Sequence, residues 1–290
     1  MSRTHTRRWA AGIATAALAV AVPVGIQVIG QGTASAQTIP NAQVVSSSPV
    51  FNSNSPKTAV INCPAGTKII GGGARVNGAQ RVVITQQQPF TTGTGGFRAA
   101  ASEDQVGFGG NWALQAFAIC TNANVNVTIA SKDGTPGSGA FQGVSATCPT
   151  GFRATGAGGR IDGGQGQVQL GTINEGGLGP NRTTAGGTED IDGFNGNWNV
   201  TSFTVCVQTP NASDFQVVQN QANGNNAGRK IVDVPCPTGK RVTGVAAFTS
   251  AGANVEVAVT DANRLRAQAI GRSDVNAGGW SVNVYAICAA

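Results

Sequence analysis

Apolar residues recur every second position along this chain. In the segment 112–120, Trp112, Leu114, Ala116, Ala118 and Cys120 share one face of an extended strand, while Phe117 and Ile119 share the other. The segment 280–288 repeats the layout, with Trp280, Val282, Val284, Ala286 and Cys288 against Tyr285 and Ile287. Apolar residues on both faces predict a strand inside a sheet and covered on both sides. VVIT (82–85), QVQL (167–170) and VEVAV (255–259) alternate in the same way, and FRAAAS (97–102), RTTAGG (182–187) and RAQAIG (266–271) are shorter strands of the same kind. QVVSSS (43–48), VNVTIAS (125–131) and FQVVQNQ (215–221) add one more strand each. A spacing near 3.6 residues never persists for ten positions, and glycine clusters between the runs as turn and bulge signals. The pattern predicts an all-β chain with essentially no helix beyond residue 36.

These strands belong to a unit that occurs three times. CPAGTKIIGGGARV (63–76), CPTGFRATGAGGRI (148–161) and CPTGKRVTGVAAFT (236–249) open it; NWALQAFAIC (111–120), NWNVTSFTVC (197–206) and GWSVNVYAIC (279–288) close it. Each opening Cys is followed by Gly at +3 and +8 and by Lys or Arg at +5, and each Trp lies eight residues before the closing Cys. The six cysteines contain no C-x-x-C pair, so they read as disulfides rather than metal ligands, and the repetition favours Cys63–Cys120, Cys148–Cys206 and Cys236–Cys288. The period of about 85 residues divides the chain into 37–124, 125–211 and 212–290. Two arrangements fit: tandem β-sandwiches, or pseudo-threefold β-prism-like packing about a shared core. The short links between units favour packed repeats over beads on a string.

Residues 1–36 read as a secretory signal peptide: Arg3, Arg7 and Arg8, an apolar run from Trp9 to Ile29, and Ala34-Ser35-Ala36. Arg7-Arg8 leave Sec and twin-arginine export both open. Without this segment, 16 Lys+Arg stand against 13 Asp+Glu, and the formal charge falls from +6 to about +3. Such scattered, mildly basic residues do not call for nucleic acid, and no later stretch is long and apolar enough to span a membrane. The single histidine, His5, leaves with the segment, which excludes Ser-His-Asp and Cys-His mechanisms and imidazole-bound zinc.

The combination CPAGTKIIGGGARV with a closing W…AIC, most complete in the first and third copies, resembles a β-repeat common in uncharacterised secreted proteins of actinobacteria. The resemblance covers nearly all of residues 41–290. The second copy departs at Ala157 and at Thr204-Val205, and the third replaces the glycine run by Val245-Ala246-Ala247. In shape, though not in cysteine spacing, the Cys-Pro-x-Gly and Gly-x-Trp elements are similar to the threefold β-prism of the vitelline membrane outer layer proteins. Neither resemblance supplies catalytic residues to transfer.

Few features carry chemistry. Gly71-Gly72-Gly73 lacks the G-K-[ST] ending or following helix of a phosphate loop and reads as close strand approach. The paired acids Glu103-Asp104 and Glu189-Asp190, in EDQVGFGGNW (103–112) and EDIDGFNGNW (189–198), are the minimum for histidine-free glycan hydrolysis. Strand neighbours point to opposite faces, so such a site needs carboxylates from different strands. Asp190-x-Asp192-Gly193 suggests a calcium loop, but no Glu closes it and Val106 replaces Asp192 in the first copy. The third counterpart, RSDVNAGGW (272–280), keeps only an acid, a glycine turn and the Trp, which is what a hairpin needs.

Trp112, Trp198 and Trp280 are candidate sugar-stacking platforms as well as candidate packing partners of the disulfides. TQQQ (85–88) and TINE (172–175), with Gln87 and Asn174, form a candidate polar rim, and Asp104 and Asp190 are candidate hydrogen-bonding acids. The expected function is a non-enzymatic secreted structural or binding protein of the cell envelope or extracellular matrix. It needs no cofactor or metal and binds cell-wall or extracellular glycans through weak multivalent sites. The alternatives are a secreted carboxylate-based glycan hydrolase and an extracellular inhibitor or interaction module presenting the loop 173–186.

Overall fold

A computed structural model describes residues 39, 41–79, 81–174, 181–208, 214–223, 228–250, 253–259, 263–273 and 279–290. The expected signal segment and residues 175–180 of the candidate loop 173–186, Glu175 among them, lie outside them.

Each repeat contributes six strands. The first holds β1 (Gln43–Ser46), β2 (Lys57–Asn62), β3 (Lys68–Asn77), β4 (Val82–Phe90), β5 (Gly96–Glu103) and β6 (Ala113–Thr121). The second holds β7 (Val127–Asp133), β8 (Phe141–Thr147), β9 (Phe152–Asp162), β10 (Val168–Asn174), β11 (Arg182–Glu189) and β12 (Asn199–Gln208). The third holds β13 (Phe215–Ala222), β14 (Arg229–Pro235), β15 (Arg241–Thr249), β16 (Asn254–Val259), β17 (Arg266–Arg272) and β18 (Val282–Ala289). No α-helix occurs among the described residues, so no helix there is long and apolar enough to cross a membrane.

The eighteen strands form three six-stranded sheets, ordered β1-β6-β3-β16-β17-β14, β2-β5-β4-β9-β12-β7 and β13-β18-β15-β10-β11-β8. Each sheet takes three strands from one repeat and three from another, in the same internal order. The opening strands β3, β9 and β15 form the seams, pairing with β16, β4 and β10 respectively. No repeat closes a core by itself, so tandem sandwiches are excluded and the pseudo-threefold β-prism arrangement holds. One apolar cluster gathers Ile84, Leu170, Ile173, Val245, Val257 and the three tryptophans, drawn from all three repeats.

The recurring glycines now have physical causes. The +3 glycines Gly66, Gly151 and Gly239 adopt φ of +78°, +84° and +83°. Each sits in a tight turn in which the next amide donates to the Pro carbonyl: Thr67 to Pro64, Phe152 to Pro149 and Lys240 to Pro237. The +8 glycines Gly71, Gly156 and Gly244 follow a β-bulge in each opening strand and meet one another where those three strands converge. A Cβ at Gly244 would lie 1.8 Å from the Thr155 carbonyl oxygen, one at Gly71 2.2 Å from that of Thr243, and one at Gly156 2.7 Å from the Gly71 Cα. Only glycine permits backbones to approach so closely.

The three disulfides pair as the repetition predicts, with Cα–Cα distances of 5.7, 5.6 and 5.8 Å. Each ties a closing strand in one sheet to the edge strand of the next, so together they staple all three sheet boundaries. At the same end, Cys63, Cys148 and Cys236 donate their amides to Gly95, Asn181 and Leu265. Ile39 N–H donates to the Ala290 carbonyl at 3.0 Å, joining the first repeat to the third.

Candidate functional site

The connections between β5 and β6 and between β11 and β12 lie at the end opposite the disulfides. Here Glu103 accepts the Trp112 indole N–H at 2.9 Å on Oε1 and the Phe108 amide at 3.2 Å on Oε2. Glu189 does the same for Trp198 at 3.0 Å and Phe194 at 3.2 Å. Asp104 accepts the amides of Val106 and Gly107, both at 2.9 Å, and Arg81 Nη1 at 3.3 Å. Asp190 donates its amide to the Gln167 carbonyl and accepts the Gly193 amide on its own carbonyl. The shared acidic motif is therefore a brace that fixes a turn and clamps an indole.

The tryptophans belong to the core. Trp112, Trp198 and Trp280 are 0%, 1% and 2% exposed, and Lys57 and Lys230 cover the rings of Trp112 and Trp280 at 4.3 and 4.7 Å. An indole with no open face cannot stack on a sugar, which corrects the platform expectation for all three. Gln87 is equally buried. It accepts the Ala74 amide at 2.9 Å and donates to the Val255 carbonyl at 3.1 Å, standing where Ile173 and Val257 stand in the other repeats. It is an internal bridge at a seam, not a rim. Asn174 pairs with Thr184 in the β10–β11 ladder. The seven residues singled out in the sequence therefore do not converge on one site.

What does form a site is a cleft of about 430 Å³ where the first repeat meets the second. Thr85, Ser102 and Glu103 supply polar groups from the first repeat, and the β9–β10 loop from Gly163 to Gly166 closes it from the second. The fit is tight beside the cleft: a Cβ on Gly166 would lie 2.4 Å from the Glu103 carbonyl oxygen and 3.1 Å from Ser102 Oγ. Ser55 Oγ accepts the Glu103 amide at 2.9 Å, and Ser102 Oγ is buried without a hydrogen-bond partner. Among the described residues lining the cleft, Glu103 is the only charged one. Of these, the sequence pattern singled out Glu103, within its acid pair, and Thr85, within the candidate rim TQQQ. Ser102 carries no motif, and its signal lies in how it differs from Arg272, its counterpart in the third repeat.

At the junction of the third repeat with the first, the corresponding place is filled. Arg272 pairs with Glu256, and both side chains are nearly sealed from solvent. Arg272 also donates to the carbonyls of Ala79 at 2.9 Å and Val76 at 3.1 Å, while Glu256 accepts the Val76 amide at 3.1 Å. Burial pushes the Glu256 carboxyl above its ordinary pKa, against the pull of Arg272. Further clefts lie among the described residues. One of about 450 Å³ at the disulfide end is lined by Thr67, Lys68, Thr91 and Val127. Another, of about 260 Å³, lies beside β2. Lys68 in the larger one already donates to the Val125 carbonyl at 2.7 Å.

No group of His, Cys, Asp and Glu able to hold a metal ion occurs among the described residues. No protein-family model matches this chain, and no curated protein matches it either.

Proposed function

We propose that this chain is a non-enzymatic binding and structural module of the extracellular space, a stapled prism that presents one polar cleft to a partner. The observation that carries this reading is the use of the acidic motif. Glu103 and Glu189, the acids best placed for hydrolysis, are held in hydrogen bonds to an indole and a backbone amide. Two carboxylates facing each other across one bond are the requirement of glycan hydrolysis, and among the described residues lining the cleft Glu103 is the one acid. Three cross-sheet disulfides suit an oxidising compartment. The junctions are unequal, one open and one filled by an ion pair, which favours a single site over threefold avidity.

The test is capture of purified envelope polymers and extracellular proteins on immobilised chain, beside Thr85→Trp, which fills the cleft. Retention lost in the variant at unchanged melting temperature is the expected result. Retention that survives the variant would sink the cleft, and release of reducing sugar from any retained polymer would sink the non-enzymatic reading.

A further inference from the structure

We infer that the cleft between the first and second repeats takes up the guanidinium of an arginine side chain from an extracellular partner protein. The inference rests on the binding-module reading and names the chemistry of the same cleft. Its basis is that the fold repeats this place and, in one copy, supplies the occupant itself.

Strand register identifies the counterparts. Ser102 pairs with Val83 one step beyond the Ala101–Ile84 pair, and Arg272 pairs with Asn254 one step beyond Gly271–Val255. Ser102 thus stands where Arg272 stands. Counted from the opening cysteines, Val76 and Ala79, whose carbonyls receive the Arg272 guanidinium, correspond to Ile161 and Gly164, which line the cleft. In the third repeat the cation is part of the chain. In the first repeat a hydroxymethyl group replaces it, the space stays open, and the hydroxyl has no partner.

The acceptors at the open junction are suited to an incoming cation. The second repeat's loop is one residue longer, and its Gly164 carbonyl already accepts the amides of Gln167 and Val168, so the carbonyl pair of the third junction is not fully reproduced. Glu103 lines the cleft instead; each of its carboxylate oxygens already accepts one hydrogen bond, from the Trp112 indole and the Phe108 amide, and its remaining lone pairs are the negative acceptors in the role that Glu256 plays beside Arg272. Arg81 is engaged with Asp104, and Lys57, which donates to the Asn52 carbonyl, also interacts with the Glu103 charge from over the Trp112 ring; neither cation lines the cleft. A planar guanidinium carries five donors in a fixed fork and suits several acceptors at once. An ammonium is a point charge that holds its water more strongly. Arginine is therefore favoured over lysine.

The Trp112 indole N–H, bonded to Glu103 Oε1, is a built-in reporter, and the Trp198 indole, bonded in the same way to Glu189, is its internal control. The ¹⁵N-labelled chain is titrated with N-acetyl-L-arginine amide, N-acetyl-L-lysine amide and chitohexaose. The expected result is a saturable shift of the Trp112 indole signal with the arginine probe, several-fold weaker binding of the lysine probe, and a still Trp198 signal. Ser102→Arg installs the third repeat's cation and should abolish the titration. Glu103→Gln keeps an acceptor for the indole and should weaken binding about ten-fold, the loss of one charge-assisted contact. A still Trp112 signal, equal movement of both indoles, or a titration untouched by both variants overturns the inference. Movement with chitohexaose alone overturns it in favour of a glycan and leaves the binding module standing. Silence from all three probes together with failed polymer and protein capture removes both.

Discussion

Replacing Gly244 by alanine tests whether the three repeats share an axis. The added methyl would stand 1.8 Å from the Thr155 carbonyl oxygen, 2.8 Å from its carbon and 2.9 Å from the Gly156 Cα. Ordinary contact is near 3.5 Å, so the strands must separate by about 1.5 Å. All three obstacles are backbone, so no side chain can rotate away, and strands that move lose pairing at a seam. Overpacking of this kind costs about 3 kcal/mol or slightly more. In a chain of this size that lowers the melting temperature by about 10 °C. Gly66→Ala is the matched control: its φ is +78° and nothing lies within 4 Å of the added methyl. It carries only the left-handed strain, about 1 kcal/mol. Guanidinium unfolding of the oxidised variants measures both. Equal costs for the two would refute the axial contact and with it the shared-core arrangement.

Two further outcomes follow from the acids. Trp112→Phe keeps most of the buried ring but deprives Glu103 of the indole N–H, so it should cost about 2 kcal/mol by chemical unfolding, with Trp198→Phe costing the same through Glu189. A cost near zero would show that the brace contributes nothing. Glu256 has a folded pKa raised above its unfolded value, so its contribution is most favourable below the unfolded pKa and is lost as pH rises through the raised folded one. The stability of Glu256→Gln relative to the wild type should therefore improve between pH 4 and pH 7. A difference that stays flat or runs the other way contradicts the raised value.

Much of this architecture was legible because repetition multiplied weak signals. The cysteine pairing followed from repetition, and the closing strands together with β4, β10 and β16 from alternation seen three times, whereas the opening segments were legible as repeated motifs and not as strands. The strands β2, β8 and β14 were not foreseen. KTAVIN, FQGVSAT and RKIVDVP lie at sheet edges with one face open, so their apolar content is diluted, and Pro235 ends one of them. The tryptophans were legible as anchors but not as sealed ones, because burial depends on Lys57 and Lys230 reaching over the rings from another strand. Gln87 misled for a related reason: a polar residue in a polar stretch reads as solvated, yet the seam turns it inward to bridge β3 and β16.

The pseudo-threefold plan also separates structure from function within one chain. What all three repeats keep, the positive-φ turn after each Cys-Pro, the axial glycine and the buried indole, is demanded by packing and says little about partners. What they vary at matched positions is free of that demand. Ser102, Thr188 and Arg272 occupy one such position, and Gln86, Thr172 and Glu256, each one step before the seam residue, another. Only in the third repeat do the two combine into a sealed ion pair that fills its own junction. The same two positions in the first repeat hold a hydroxyl and an amide beside an open cleft. A triplicated fold that closes one junction with its own arginine and leaves another open next to a carboxylate has made the two unequal, and the partner selectivity proposed for this chain rests on that inequality.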